Sequence, residues 1–127
     1  YNMGKYNGLI CKLENDPVGN IPFHIESPLI RRICAKRFPL DLAIHHISLK
    51  EGENNDDYCR IHTHNEDEIN IIIASDNFLK YKIQLGDEVY IVESPSAVFI
   101  PKNLSHSANF IAGDGYFVCL KFPGQVT

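Results

Sequence analysis

From Asp41 onward, short runs rich in Ile, Val, Tyr and Phe recur between turn residues, a rhythm of strands rather than helices. The pattern predicts strands over 42–49, 58–64, 68–74, 78–85, 88–92, 97–100, 106–111 and 116–122. A polar loop is expected from Gly52 to Asp57. Hairpin connections are expected at Ser75-Asp76-Asn77 and Gly86-Asp87, and Ala112-Gly113-Asp114-Gly115 is read as closing a last hairpin. The expected fold class is all-β, a single antiparallel β-barrel or jelly roll over residues 41–127 with a central cavity. Residues 1–40, punctuated by Pro17, Gly19, Pro22, Pro28 and Pro39, read as an irregular N-terminal arm that wraps the core or a partner subunit. Within it, Leu29 to Ile33 fits either a helical turn or an edge strand.

Composition narrows the partners. The chain has 127 residues, 12 basic and 16 acidic side chains and a net charge of −4, with no Lys/Arg run of the kind that marks a nucleic-acid or anionic-membrane surface. No stretch approaches the roughly 18 to 20 apolar residues of a membrane span, and Tyr1 to Leu13 lacks a secretory signal pattern, so a cytoplasmic protein is expected. Cys11, Cys34, Cys59 and Cys119 show no Cys-x-x-Cys spacing and read as free thiols filling small apolar sites. Cys59 alone lies close to a histidine cluster.

That cluster is the densest chemical signal: Arg60-Ile61-His62-Thr63-His64-Asn65-Glu66-Asp67-Glu68. On a strand, His62 and His64 share a face with Cβ atoms roughly 6.5 to 7 Å apart, close enough to converge on one metal ion about 2.0 to 2.2 Å from each nitrogen. Glu68 would lie more than about 10 Å away on a straight strand, so Asn65-Glu66-Asp67 has to turn the chain and fold Glu68 back beside the histidines. A further donor can come from His106, which follows the turn Pro101-Lys102-Asn103-Leu104-Ser105.

With these residues the sequence resembles the cupin superfamily. The first cupin motif, G-x5-H-x-H-x3,4-E-x6-G, matches at His62, His64 and Glu68. The second, G-x5-P-x-G-x2-H-x3-N, matches at Pro101 and His106, and the resemblance covers roughly residues 42 to 122. The departures fall on glycine positions, occupied here by Asp56, Ser75, Pro95 and Asn103, and on the final asparagine, Asn109 standing one residue early. Asparagine tolerates a left-handed turn best among non-glycine residues, and the other departures imply locally different turns. The resemblance implies a small single-domain metal-binding cupin with His62, His64, Glu68 and His106 as ligands inside the barrel. It also implies a homodimer formed through a sheet edge and the N-terminal arm.

Strand alternation nominates the remaining site residues. Arg60 has the parity of His62 and His64 and is a candidate to hold a substrate carboxylate. Asn70 shares the parity of Glu68, and Phe110 that of His106; both are expected at the substrate. One of the adjacent pair His45 and His46 has to face inward, as a pocket base or a further donor. A site of three imidazoles and one carboxylate leaves positions open for substrate or dioxygen and accepts one divalent ion per chain. The ligand types permit Fe(II), Mn, Ni, Co and Zn alike, and the resemblance favours Fe(II). The expected function is a metal-dependent small-molecule enzyme acting on a small polar or anionic metabolite, and the resemblance alone puts an oxygenase (dioxygenase) ahead of a lyase or isomerase. The alternative is a non-catalytic sugar- or metabolite-sensing module, followed by a purely structural scaffold.

Overall fold

Alternation of buried and exposed positions marks the strands in the computed structural model, which describes residues 4–49, 56–74 and 76–123. Eight strands follow one another: β1 (Glu14–Asn15), β2 (Ile30–Ala35), β3 (Asp41–Ser48), β4 (Asp67–Ile73), β5 (Leu79–Leu85), β6 (Glu88–Glu93), β7 (Ser96–Ile100) and β8 (His106–Phe122). In β3, Ala43, His45 and Ile47 are buried while their neighbours lie toward the other face, the period of two that half-buried strands require. β4 repeats it with Glu68, Asn70 and Ile72 inward. Of the expected loop at 52–57, residues 52–55 lie outside the described residues, as does Ser75. Among the described residues no helix is long and apolar enough to cross a membrane.

All strand pairs are antiparallel. One path runs β1-β2-β3-β8-β4-β7, and β5 joins β6 to β8, giving an open jelly roll whose sheets enclose the core. Val18, Ile47, Ile72, Leu79, Tyr81, Ile83, Phe110 and Phe117 are among the side chains that fill it. The first forty residues are partly regular. Of the segment Leu29 to Ile33, all but Leu29 resolves as strand, since β2 pairs with β3 from Ile30 opposite Ile47 to Ala35 opposite Leu42, and Leu29 stands in the turn before it. Val18 of the same segment is fully buried.

Two expectations fail in informative ways. Ala112 to Gly115 does not close a hairpin, because the chain continues as one strand from His106 to Phe122. β8 pairs with β5 up to Gly113, then passes to β3 on one side and β4 on the other. Gly113 and Gly115, at φ +90° and +152°, form the corner, and a Cβ at Gly113 would stand 1.9 Å from the Phe78 carbonyl oxygen. Glycine here permits a close backbone approach where the strand changes partners, a need that looks like turn chemistry in sequence.

Residues 58–64 do not form a strand either. They make only isolated bridges, Cys59 with His24 and His62 with His106. The Asn109 side chain stands in for a ladder neighbour: its Oδ1 accepts from the backbone N–H groups of Tyr58 and Cys59, both at 2.8 Å, and its Nδ2 donates to the Cys59 carbonyl at 3.0 Å. With no ladder to enforce alternation, Cys59 and His62 both face the cavity although three residues apart.

Candidate metal centre and cavity

Three imidazoles meet at one end of the jelly roll. His62 and His106 exchange backbone hydrogen bonds, and the turn before β8 is latched to the first histidine segment by the Asn103 N–H donating to the His64 carbonyl at 2.9 Å. Asn103 adopts φ +68°, the left-handed conformation that its place in a glycine position requires. One nitrogen from each of His62, His64 and His106 lies within 4.8 Å of the others.

Each ring is oriented by the same device. The Nδ1–H of His62 donates to the Arg60 carbonyl at 2.7 Å, that of His64 to the Glu66 carbonyl at 3.0 Å and that of His106 to the Leu104 carbonyl at 2.9 Å. This arrangement fixes the tautomer and leaves Nε2 as the free donor, as outer hydrogen bonds do for metal-binding histidines. Glu68, 5% exposed, places Oε1 2.8 Å from His64 Nε2 and 3.5 Å from His106 Nε2.

The donor set fits a divalent cation. His106 Nε2 is buried without a hydrogen-bond partner among the described residues, the longer approach of Glu68 being too poor to supply one. Between His64 Nε2 and the Glu68 carboxylate a proton or a cation has to stand. An ion about 2.1 Å from each nitrogen spans at most about 4.2 Å, so the rings need to close by only about half an ångström. Burial works against the Glu68 carboxylate, yet the facing His106 imidazole and the hydrogen bond from Asn70 outweigh it and hold the group well below the usual carboxylate range. For His106, burial lowers its proton affinity, and the Glu68 carboxylate with the Leu104 carbonyl reverses that to a net rise. His62 is shifted down, chiefly by burial.

A cavity of about 290 Å³ opens beside this cluster, lined by His62, Glu68 and His106 and by His45, Tyr58, Ala108, Phe117 and Cys119. His45 is the inward member of its pair, whereas His46 stacks on Tyr116 on the opposite face with ring centroids 4.7 Å apart. Burial depresses His45 to about 3 and keeps it neutral. Its Nδ1 lies 3.4 Å from the Tyr58 hydroxyl, which meets the Tyr81 hydroxyl at 3.0 Å.

Three nominated residues sit elsewhere. Arg60 is exposed and away from the cavity, because the irregular segment between the bridges at Cys59 and His62 breaks the parity that pointed it inward. Asn70 stands behind Glu68, its Nδ2 donating to Oε2 at 2.6 Å, so it positions the carboxylate. Phe110 packs into the core against Tyr58 and Tyr81, while Ala108 two residues earlier lines the cavity. The four cysteines are free, and burial pushes the Cys59 thiol up to about 11.

His24 belongs to none of the sequence motifs. It lines the same cavity, with its Nδ1–H on the Pro22 carbonyl at 2.8 Å and its ring 5.5 Å from that of His62. Phe23, at φ +67°, stacks flat on His62 at 5.4 Å. These contacts arise because Ile25 N–H donates to Tyr58 O and Arg60 N–H to Phe23 O, both at 2.8 Å. Nothing local in the proline-rich segment signals that pairing.

No protein-family model and no curated protein matches the sequence. Solved structures do match in shape. An RmlC-like cupin from Shewanella frigidimarina NCIMB 400 superposes with a TM-score of 0.60 at 9% identity, over 87% of this chain and 83% of that one. KdgF from Halomonas sp. gives 0.59 at 16% identity over 84% and 89%. Fe(II) HppE gives 0.52 at 12% identity over 86% of this chain and 64% of that one. The open antiparallel jelly roll with its histidine-lined cavity is thus a member of a known architecture: the chain has the cupin fold.

Proposed function

We propose that the chain is a metal-dependent small-molecule enzyme in which His62, His64, His106 and Glu68 hold one divalent ion. The observation that carries this reading is the shared orientation of the three rings, each Nδ1–H tied to a backbone carbonyl and one nitrogen of each within 4.8 Å of the others. Metal-binding histidines almost always have such an outer hydrogen bond. When bound, such an ion supplies Lewis acidity and, if it is iron, a redox couple for dioxygen chemistry.

The rest follows from the protein's own groups. Glu68, held ionised between Asn70 and His106, offsets the charge of a cation. Phe117 and Ala108 give the cavity apolar wall and exclude water from a bound substrate. His45 is too hard to protonate to store a proton near neutrality, and we assign it a hydrogen bond to substrate, with its ring set by Tyr58. Oxygenase chemistry with Fe(II) is the leading assignment, supported by the likeness to Fe(II) HppE, with a lyase or isomerase second.

Metal analysis by mass spectrometry, followed by dioxygen-uptake assays on the Fe(II)-loaded protein with a metabolite panel, tests the proposal. Near-stoichiometric metal and substrate-dependent uptake support it. A protein that refuses Fe(II), Mn(II), Ni(II), Co(II) and Zn(II) overturns it and leaves a ligand-binding module.

A further inference from the structure

The cavity holds a second group of charged side chains that the sequence reading did not single out. Strand register places them. Arg32 of β2 lies across from His45 of β3, and Lys121 of β8 lies between Asp41 of β3 and Glu68 of β4. Between those two rows, the corresponding positions on β2, β3 and β8 are Cys34, Ala43 and Cys119. Three small side chains in a row leave room above the sheet, and all five residues line the cavity of about 290 Å³.

The cations there are incompletely matched. Arg32 Nη1 donates to the Asp16 carbonyl at 3.1 Å and lies 3.2 Å from Asp16 Oδ2. That same oxygen is taken by Lys36 Nζ at 2.5 Å, so one carboxylate serves two cations. Arg32 Nε is buried and has no hydrogen-bond acceptor among the described residues, an arrangement that folded proteins generally avoid. Lys121 forms no ion pair among the described residues, although Asp41 and Glu68 flank it in register. Arg32 thus offers a guanidinium edge with a free Nε–H, suited to a planar two-oxygen anion, and Lys121, on the far side of the small-residue row and lining the same cavity, offers a second positive charge.

We propose that Arg32 and Lys121 form an anion subsite for a small organic acid: a carboxylate meets the Arg32 edge, and the molecule lies over Cys34, Ala43 and Cys119 toward Lys121 and the histidine cluster. The inference rests on reading the cavity as a small-molecule site and deepens it: the substrate is an acid rather than a neutral sugar. It moves to Arg32 the anchoring role that alternation assigned to Arg60.

The test titrates malonate, succinate and glutarate, with malonamide and inorganic phosphate as controls, into the ¹⁵N-labelled full chain. Metal-free and Zn(II)-loaded samples are compared for wild type, Arg32→Gln, Lys121→Met and His106→Ala. The expected result is saturable binding of a dicarboxylate to metal-free wild type and to His106→Ala, with each charge-removing variant about tenfold weaker or worse. Lys121→Met, at a half-buried position, decides the matter if Arg32→Gln does not fold.

Equal affinity for malonamide or for phosphate overturns the carboxylate assignment. So does binding that the Arg32 and Lys121 substitutions leave unchanged, or binding that appears only with Zn(II) and is lost in His106→Ala. A wild type that takes the dicarboxylate but no metal sinks the proposed enzyme and leaves this subsite standing. Metal uptake without carboxylate binding does the reverse.

Discussion

His62 and His106 exchange both of their backbone hydrogen bonds, His62 N–H to His106 O and His106 N–H to His62 O, each at 3.0 Å. This bridge joins a segment that is not a strand to the start of β8 and brings the two imidazoles to a centroid separation of 4.5 Å. Because the main chain makes the bond, the side chains are free for other work, and removing one need not undo the join.

Replacing His106 by alanine is therefore expected to leave the fold intact while weakening metal binding roughly 100-fold or more, since one of the three imidazole donors is lost. Metal content per chain and a competitive chelator titration measure it. Full retention of metal by a folded His106→Ala would refute the site.

Asn109 is fully buried and makes three hydrogen bonds to the backbone of Tyr58 and Cys59. Asn109→Ala strands two buried N–H groups and a carbonyl, and is expected to cost about 2–4 kcal/mol in urea unfolding. Hydrogen exchange should quicken at residues 58–62, and metal affinity should fall even though these three Asn109 bonds go to Tyr58 and Cys59 and not to a histidine. Unchanged exchange there would show that the Asn109 bonds do not hold the segment.

His45 gives the stability a pH signature. Its folded pKa of about 3 lies below the model-peptide value near 6.5, so between these limits the unfolded chain binds more protons than the folded one. The contribution is fully present above pH 6.5 and is lost as pH falls toward 3, at up to about 1.4 kcal/mol per pH unit. In chelator-treated protein, urea unfolding of wild type and His45→Gln should therefore diverge below pH 6.5 and run parallel above it. Glu68 and His106 titrate in both proteins, so the difference isolates His45. Parallel curves down to pH 4 would contradict its burial as a neutral ring.

At the corner of β8, Gly113→Ala would drive a Cβ to 1.9 Å from the Phe78 carbonyl oxygen at a φ of +90°. A loss of about 3 kcal/mol or more is expected, read as a lowered urea midpoint. Gly8, with open space around its Cβ position, is the control at which alanine should be close to neutral.

What the sequence determined by itself is whatever depends on short range. Alternating burial in β3, β4 and β5 follows from side chains that point to opposite faces every residue, and that period is written directly in the chain. The grouping of His62, His64 and Glu68 was legible because they lie within seven residues of one another, with a polar bend at Asn65 and Glu66 leading into β4. His106 and the left-handed Asn103 were legible through motif spacing, and φ +68° bears out the turn expected of Asn103.

Only the tertiary structure decided what depends on which strands meet. Alternation holds where a ladder enforces it, so it misled at Arg60, in a segment held by two isolated bridges and one asparagine side chain. Gly113 and Gly115 read as a turn because glycine marks tight backbone generally, and the strand's exchange of partners from β5 to β3 and β4 is invisible locally. The approach of His24 to His62 depends on distant residues paired by folding. So does the burial of the Arg32 Nε, on a residue that stands across from His45. Register, set by the summed burial of whole sheets, carries that information and leaves no trace in the spacing of any single motif.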